Sequence, residues 1–148
     1  SQAYHDMNKI ATSDRGLKNF TTTEEMYNVI VSMTKKLMAD VPFKDVIATG
    51  TCLQNLRTSS LNNSMYLTRD GYHMDYGIGR YAAACMMFEK LISPSFDNVK
   101  LDGNAYRFNE SDTTNGSYTT PVTDANAPIA LQAARYALET PYAVTDMK

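Results

Sequence analysis

The sequence predicts an α/β domain, of which these 148 residues would form the C-terminal part. Apolar residues recur with helical periodicity at about 23–39 and again at about 76–92, and a third helix is predicted after residue 123. A short β-branched run at 45–50 lies between the first two helices and is typical of a buried strand. Because one strand cannot form a sheet, we expect the other strands to come from elsewhere in a longer polypeptide or from another chain.

The first helix is predicted to begin at a capping box, since Thr22 is followed three residues later by Glu25. An apolar stripe then follows one face of the helix and is formed by Met26, Ile30, Met33 and Leu37. Pro42 prevents much continuation, so the helix should end near residue 39.

The predicted strand at 45–50 is followed by a polar, irregular stretch at 51–69. Its length indicates either a functional loop or a short helix followed by a loop. Open α/β sheets bind ligands beyond the carboxyl ends of their strands, so polar side chains in this stretch are placed to contact a substrate. The candidates for substrate binding are Thr51, Gln54, Asn55 and Arg57. Holding the loop in shape is an equally good role for them.

The second helix is predicted to follow Asp75, its N-cap, and to end before the Ser-Pro pair that comes after it. It is apolar around most of its circumference, as expected for a helix buried against a sheet. Gly77 and Gly79 in its first turn disfavour a helix, so we expect them to allow the close approach of another backbone. Arg80 is predicted to form a structural ion pair with Asp75 or with Asp70.

The C-terminal third is predicted to contain a weak hairpin at 98–108 and a loop rich in Ser, Thr, Asn and Gly at 109–120. Thr123-Asp124 then caps the third helix, which should continue to about residue 139. This part of the chain adds one more helix and no second strand that could complete a sheet.

The composition is that of a globular domain, with 43% hydrophobic and 20% charged residues. We predict one domain over 1–148, in which 94–148 packs on the rest as a C-terminal extension. A formal net charge of -2 argues against nucleic acid or an anionic membrane surface as a partner. The sequence has no apolar run of about 18 residues, so no membrane span is predicted.

Cys52 and Cys85 are too few for a disulfide scaffold or a zinc site. We expect two unpaired buried thiols, with a single disulfide bridge as the alternative. The acidic residues Asp102, Asp112 and Asp124 fall in loops or caps without clustering, so neither a metal nor another cofactor is predicted.

The stretch Asp70-Gly71-Tyr72-His73 contains one of the two histidines of the chain, three residues after an aspartate. A carboxylate can orient an imidazole and stabilise its cation, which lets the histidine work as a general base. A turn eased by Gly71 would bring Asp70 within reach of the His73 ring. From spacing alone, a loop histidine that happens to follow an aspartate is the alternative.

Two segments resemble the DUF4886 family of SGNH-like bacterial proteins, namely VIATGTCLQNLRTSSL and, after it, LTRDGYHMDYGIGRYAAACMMFEKL. The family pattern has P-T-G-T-A-x-Q-N-A-R, then D-G-x-H, then G-R-Y, and this chain departs from it at Ala48, Cys52 and Leu56. The D-G-Y-H block and its helix also look like the last motif block of the SGNH (GDSL-type) serine hydrolases. The helix around Met26 and the final ALQAARYALETPYAVT look like the C-terminal half of the DUF4886 family, so the resemblance covers nearly the whole chain.

This resemblance implies the C-terminal part of a three-layer α/β/α fold, flavodoxin-like as in SGNH hydrolases, with few strands in this chain. It implies that His73 is the general base of a catalytic triad and Asp70 its orienting partner. The nucleophilic serine and the oxyanion-hole residues of that superfamily lie in earlier motif blocks, and no serine of this chain lies in such a block. The chain alone is therefore predicted to be inactive, because its base has no nucleophile to activate.

The leading functional prediction is the C-terminal portion of a serine esterase whose substrate is a small-molecule ester, including esters of carbohydrates. The alternative is a non-catalytic α/β module for glycan binding or assembly. An incomplete sheet exposes an edge and an apolar face, so we expect the chain to self-associate. The resemblance alone implies an extracytoplasmic location, either periplasmic or secreted.

Overall fold

The computed structural model describes residues 20–63, 67–69, 73–108 and 119–148 of the chain. These residues are rich in helix. The α-helices within the described residues are α1 (Thr23–Asp40), α2 (Thr49–Thr58), α3 (Ile78–Met87) and α4 (Ala127–Glu139). The shorter helical segments are the 3₁₀ turns Ser60–Asn63 and Ser93–Ser95 and the π-helical segment Phe88–Ile92, which continues α3 directly.

Helix α1 confirms the first predicted helix and its cap. The Glu25 N–H donates to the Thr22 hydroxyl at 3.1 Å, and the Glu25 carboxylate accepts from the Thr22 N–H at 3.3 Å. The helix ends at Asp40, close to its predicted end, since Pro42 lacks the N–H that another turn would need. Local sequence therefore sets both ends of α1.

The apolar stripe of α1 is covered only at its N-terminal end. Met26 and its neighbour Tyr27 are buried, whereas Met33 and Leu37 are 63% and 49% exposed. Phe43 extends the exposed apolar surface beyond the end of the helix. Within the described part of the chain, the C-terminal half of this face is open to solvent.

The strand predicted at 45–50 is wrong. Residues 42–48 are irregular, and Thr49 already begins α2, with its N–H donating to the Ile47 carbonyl at 2.9 Å. A strand is stabilised by backbone hydrogen bonds to a neighbouring strand, and the described residues contain no such neighbour. Of the two interpretations of the stretch that follows, the short helix is the one found.

Helices α2, α3 and α4 pack against one another around one apolar core. Helix α4 faces this core with alanines at helical spacing, namely Ala130, Ala133, Ala134 and Ala137. Their small side chains let α4 approach its neighbours closely. Larger buried side chains on the other two helices fill the core, among them Leu53, Leu56, Ile78 and Met86. Helix α4 therefore supplies one wall of the core.

Cys52 and Cys85 are both buried and free of a disulfide bridge, which confirms the expectation of two unpaired thiols. Burial raises the pKa of the Cys52 thiol above its ordinary value and raises the pKa of the Cys85 thiol to about 11. Both groups are therefore protonated at neutral pH and behave as small apolar side chains of the core.

The weak hairpin predicted at 98–108 is not formed, although the turn at its centre is. The Asn104 N–H donates to the carbonyl three residues earlier at 3.1 Å, and Gly103 adopts a φ of 70°. No strand flanks this turn within 98–108, all of which is described. Instead, Arg135 of α4 binds the Asp102 carboxylate, with Nη1 and Oδ1 2.9 Å apart, and so fixes the turn against the helix.

Helices α3 and α4 both begin slightly later than predicted. Helix α3 begins at Ile78, and its last part, Phe88–Ile92, is π-helical. Helix α4 begins at Ala127, after a reciprocal pair of hydrogen bonds. In this pair the Asn126 N–H donates to the Thr123 hydroxyl at 3.3 Å, and the Thr123 N–H donates to the Asn126 side-chain oxygen at 2.8 Å. The prediction that Thr123-Asp124 caps this helix is therefore wrong, because the N-cap is Asn126 and the Thr123 hydroxyl binds the N–H of that residue instead.

Candidate functional site

His73 lies on a short antiparallel pair of chain segments, 67–69 and 73–75, which we call the His73 hairpin. Thr68 and Met74 form an antiparallel bridge, and the Arg69 N–H donates to the His73 carbonyl at 3.0 Å. Residues directly opposite in such a pair point to the same face, so the side chains of Arg69 and His73 are neighbours. The His73 side chain is exposed. Asp70 lies outside the described residues, so its pairing with His73 stays a prediction.

The base of the His73 hairpin is fixed by Asp75, which is 0% exposed. Its Oδ2 accepts from the N–H groups of Gly77 at 2.9 Å and Thr120 at 3.1 Å, and its Oδ1 accepts from the Gly79 N–H at 2.6 Å. Burial raises the pKa of Asp75 to about 6, although these donors favour the charged form and act in the opposite direction. The prediction of Asp75 as the N-cap is wrong, because α3 begins at Ile78 and its N-cap is Gly77. The Asp75 carboxylate nevertheless binds N–H groups at the start of this helix, and it also holds a segment distant in sequence.

Gly77 and Gly79 are the two positions where this arrangement leaves no room for a side chain. A Cβ at Gly77 would lie 1.7 Å from the Thr120 carbonyl oxygen. A Cβ at Gly79 would lie 2.5 Å from Asp75 Oδ1 and 3.0 Å from the Leu67 carbonyl oxygen. The expectation that these glycines allow close approach of another backbone is therefore confirmed.

Two guanidinium groups lie against the ring of Tyr76. The Arg80 guanidinium carbon is 4.3 Å from the ring centroid and that of Arg69 is 4.7 Å from it, and Arg69 also donates to the Tyr76 hydroxyl. The predicted ion pair of Arg80 with Asp75 is wrong, because the Asp75 carboxylate is occupied by backbone N–H groups and Arg80 lies on the ring. The alternative pairing, with Asp70, falls outside the described residues.

Arg69, Arg80 and Tyr76 form what we call the arginine cluster. An aromatic groove of about 450 Å³ lies along α3 beside it. Its lining includes Tyr76, Arg80, Tyr81, Phe88, Asn104, Tyr106 and Phe108. The rings of Tyr81 and Tyr106 are nearly parallel, with centroids 6.4 Å apart, and the Asn104 side-chain amide donates to the Tyr81 hydroxyl at 2.9 Å. Tyr76 belongs to both the groove and the arginine cluster, so the groove begins next to the His73 hairpin. No pattern in the sequence predicts this groove, because its two sides are about 20 residues apart along the chain.

Thr51 and Asn55, two of the residues predicted to bind substrate, contact the C-terminal segment 141–148. The Thr51 hydroxyl donates to the Pro141 carbonyl at 2.7 Å. Asn55 is fully buried, donating to the Ala133 carbonyl at 3.2 Å and accepting from the Thr145 N–H at 2.8 Å. These are the bonds expected if the residues hold the chain in shape, which was the alternative role.

The other two predicted substrate-binding residues lie on the same helix, α2. Gln54 is buried, and Arg57 is half-buried and lines a cavity of about 450 Å³ together with Asp146 and Lys148. None of the four predicted residues lines the aromatic groove. Their role in substrate binding stays a prediction.

Among the residues that the structure describes, no three His, Cys, Asp or Glu side chains gather where they could hold a metal ion. The helices in this same part of the chain include none with the length and apolar character needed to cross a bilayer.

The chain belongs to the DUF4886 family, a domain of unknown function, which matches residues 4–123. It is similar to the crystal structure of a DUF4886 family protein from Bacteroides uniformis, with 33% sequence identity and a TM-score of 0.71. The match covers 91% of this chain and 46% of that protein, so the chain spans about half the length of this relative. A search of curated proteins found no match.

Proposed function

We propose that this chain is the C-terminal portion of an SGNH-type serine hydrolase that cleaves esters. His73 is the general base and Asp70 orients its ring, while the nucleophilic serine and the oxyanion hole lie in a preceding part of a longer protein. The serine oxygen attacks the ester carbonyl as its proton passes to His73, which then protonates the leaving alcohol. Water, deprotonated by His73, hydrolyses the acyl-enzyme and regenerates the serine.

The observation that carries the proposal is that the exposed side chain of His73 lies on a backbone held by hydrogen bonds. A general base needs an accessible ring on a backbone that does not move, because its hydrogen bond to the nucleophile depends on tenths of an ångström. The His73 side chain is exposed, while the hairpin below it is closed by backbone hydrogen bonds and ends in the buried carboxylate of Asp75. A loop histidine without a catalytic role needs no such support.

The open face of α1 supports a three-layer α/β/α arrangement for the longer protein. Met33 and Leu37 are exposed on a helix whose stripe has the pattern of a buried face. Strands supplied by the preceding part of the protein would cover this stripe, and they would give the irregular segment 42–48 the neighbours that a strand requires.

The aromatic groove supports a carbohydrate ester as the substrate. Its volume of about 450 Å³ suits a small ligand. Aromatic faces such as that of Tyr106, which is 64% exposed, pack against the C–H faces of sugar rings, and the Arg80 guanidinium can bind hydroxyl groups. Since the groove begins beside the His73 hairpin, a sugar bound there would place its acyl group near the base.

The proposal is tested by esterase assays of the complete protein on acetylated sugars and on a generic acyl ester. His73→Ala should lower kcat/KM by about 10³-fold or more, because the base is lost. His5→Ala, which removes the other histidine of the chain, is the matched control and should leave activity unchanged. The esterase proposal fails if the His73→Ala protein retains wild-type activity.

A non-catalytic glycan-binding module is the second candidate, since the aromatic groove could bind a sugar without any nucleophile. In that case the complete protein should show no esterase activity and should bind oligosaccharides, as measured by calorimetry, equally well after His73→Ala. Tyr106→Ala removes one wall of the groove at an exposed position and should abolish that binding. For an esterase, the same change should raise KM and leave kcat nearly unchanged.

A further inference from the structure

The proposed chemistry makes no use of the buried carboxylate that lies two residues after His73. We propose that Asp75 is a positioning residue, which holds the His73 hairpin on the N-terminus of α3 and so fixes the orientation of the imidazole. Its effect on catalysis rests on the proposed function, whereas its hold on the hairpin can be measured without any activity.

Asp75 joins three segments of the chain at one point. Its backbone N–H donates to the Leu67 carbonyl at 3.1 Å, which closes the base of the hairpin. Its carboxylate binds the first turn of α3 through the N–H groups of Gly77 and Gly79, and it binds the segment 119–122 through the Thr120 N–H. A shift of this carboxylate therefore moves the hairpin relative to α3 and to a segment 45 residues away.

The neighbours of Asp75 allow few adjustments. The Thr120 carbonyl accepts from the Ile78 N–H at 3.0 Å, so the segment 119–122 is bound to α3 on both sides of the carboxylate. Gly77 and Gly79 leave no space for a Cβ, so the backbone around the carboxylate is already at contact distance. Only a small acceptor with two oxygens matches three converging donors.

An amide cannot replace this carboxylate. In Asp75→Asn one of the two oxygens becomes an NH₂ group, which would face the N–H of Gly79 or those of Gly77 and Thr120. At least one donor then loses its acceptor inside the core. The side chain would have to rotate or the hairpin would have to move away from α3.

The charge state of Asp75 indicates that the residue serves geometry more than stability. Burial raises its pKa from the ordinary 3.8 to about 6, so its contribution to stability is present below about pH 4 and is lost as the pH rises through 6. Among the described residues, the other charged or titratable groups on the packed elements are Arg69 and His73 of the hairpin, Tyr76 just before α3, and Arg80, Tyr81 and Cys85 of α3, and the segment 119–122 contains none. At neutral pH the fold thus holds a carboxylate whose charge is unfavourable there.

The test compares Asp75→Asn with Thr22→Ala in the complete protein. Both changes alter a side chain that accepts hydrogen bonds from N–H groups at the start of a helix, but Thr22 of α1 is not connected to the His73 hairpin. In Asp75→Asn, the Arg69 amide, which is bonded to the His73 carbonyl, should exchange its hydrogen about tenfold faster or more, while Ala134 and Ala137 of α4 stay protected. The value of kcat should fall about 10- to 100-fold with little change in KM, whereas Thr22→Ala should leave both unchanged.

The proposal would be overturned if Asp75→Asn speeds hydrogen exchange equally in the His73 hairpin and in α4. It would also be overturned if the exchange rate of the Arg69 amide does not change. If Asp75→Asn does not fold, Gly79→Ala gives the same test, because its Cβ would lie 2.5 Å from Asp75 Oδ1 and so displaces the carboxylate without changing its chemical identity. A complete wild-type protein without esterase activity would refute the proposed function only. The exchange pattern alone would then decide whether Asp75 positions the hairpin.

Discussion

Asn55 and Asp75 are both 0% exposed, and each joins distant parts of the chain through backbone groups, but their chemistry differs. Asn55 uses both ends of a neutral amide, donating to the Ala133 carbonyl and accepting from the Thr145 N–H. The Asp75 carboxylate only accepts hydrogen bonds, and it carries a charge at neutral pH. A neutral amide strengthens the fold over a wide pH range, whereas a buried carboxylate gathers three donors at the expense of stability. The first suits a structural clamp and the second suits a site whose geometry must be fixed.

Exchanging the amide of Asn55 for a carboxylate should give the largest effect. Asn55→Asp places an acceptor against the Ala133 carbonyl and a charge in the core, so the free energy of unfolding should fall by about 3–5 kcal/mol at pH 7. The loss should be smaller at pH 5, because burial favours the protonated form. Urea denaturation measures both values. Asn28→Asp, at an exposed position of α1, is the control and should change stability by less than about 0.5 kcal/mol.

Crowding the donors around Asp75 should have the next largest effect. Gly77→Ala forces a Cβ against the Thr120 carbonyl, and we expect the free energy of unfolding to fall by about 3 kcal/mol. Gly103→Ala is the matched control, since its Cβ meets no atom within 4 Å and the change is unfavourable only because φ is positive. That control should cost about 1 kcal/mol by thermal or urea unfolding. Equal losses in the two variants would show that contact with Thr120 is not the cause.

The converse exchange, Asp75→Asn, should lower the free energy of unfolding by less, and the size of the loss should depend on pH. At pH 7 we expect a loss of about 1–3 kcal/mol, since an unpaired donor is partly offset by removal of a buried charge. The wild-type protein gains stability as the pH falls from about 6 towards 4, because folding raises the pKa of Asp75, and the variant lacks this gain. The difference between the two proteins should therefore widen on acidification, as urea titrations at pH 7 and 4.5 would measure. A difference that narrows would contradict the raised pKa.

Removing the exposed cap of α1 should have the smallest effect. Thr22→Ala leaves the Glu25 N–H to water, so the loss should be about 1 kcal/mol and independent of pH between 5 and 8. Circular dichroism during urea unfolding gives the value. Thr22→Ser keeps the hydroxyl and should restore most of the stability, which distinguishes the cap from other effects of the threonine.

The features predicted correctly from the sequence are those that depend on a few neighbouring residues. Thr22 and Glu25 form a cap within one helical turn, and Gly77 and Gly79 signal close approach even though the partner cannot be named. The run at 45–50 has strand composition, but a strand requires a neighbour that the sequence of this segment does not contain. Composition alone therefore predicted a structure that lacked its partner.

In the candidate site, too, local features can be predicted from the sequence and contacts between distant residues cannot. The sequence predicts His73 as a site residue because its spacing from Asp70 and its family context are local properties, and its role stays a prediction. Asp75 was predicted only as a helix cap, since its bond to Thr120 joins residues 45 positions apart. The partners of Asn55 and Thr51 in the C-terminal segment are about 90 residues away, and no periodicity or composition reveals such pairings.

The clamp on the C-terminal segment has a consequence for how this family can vary. Thr51 and Asn55 bind the Pro141 carbonyl and the Thr145 N–H, and the Met147 N–H donates to the Thr58 hydroxyl at 2.9 Å. All of these contacts are to main-chain atoms, which every amino acid except proline supplies in full. These backbone contacts therefore tolerate any side chain at 145 except proline as long as α2 keeps Thr51, Asn55 and Thr58, whereas the Met147 side chain also packs against the core.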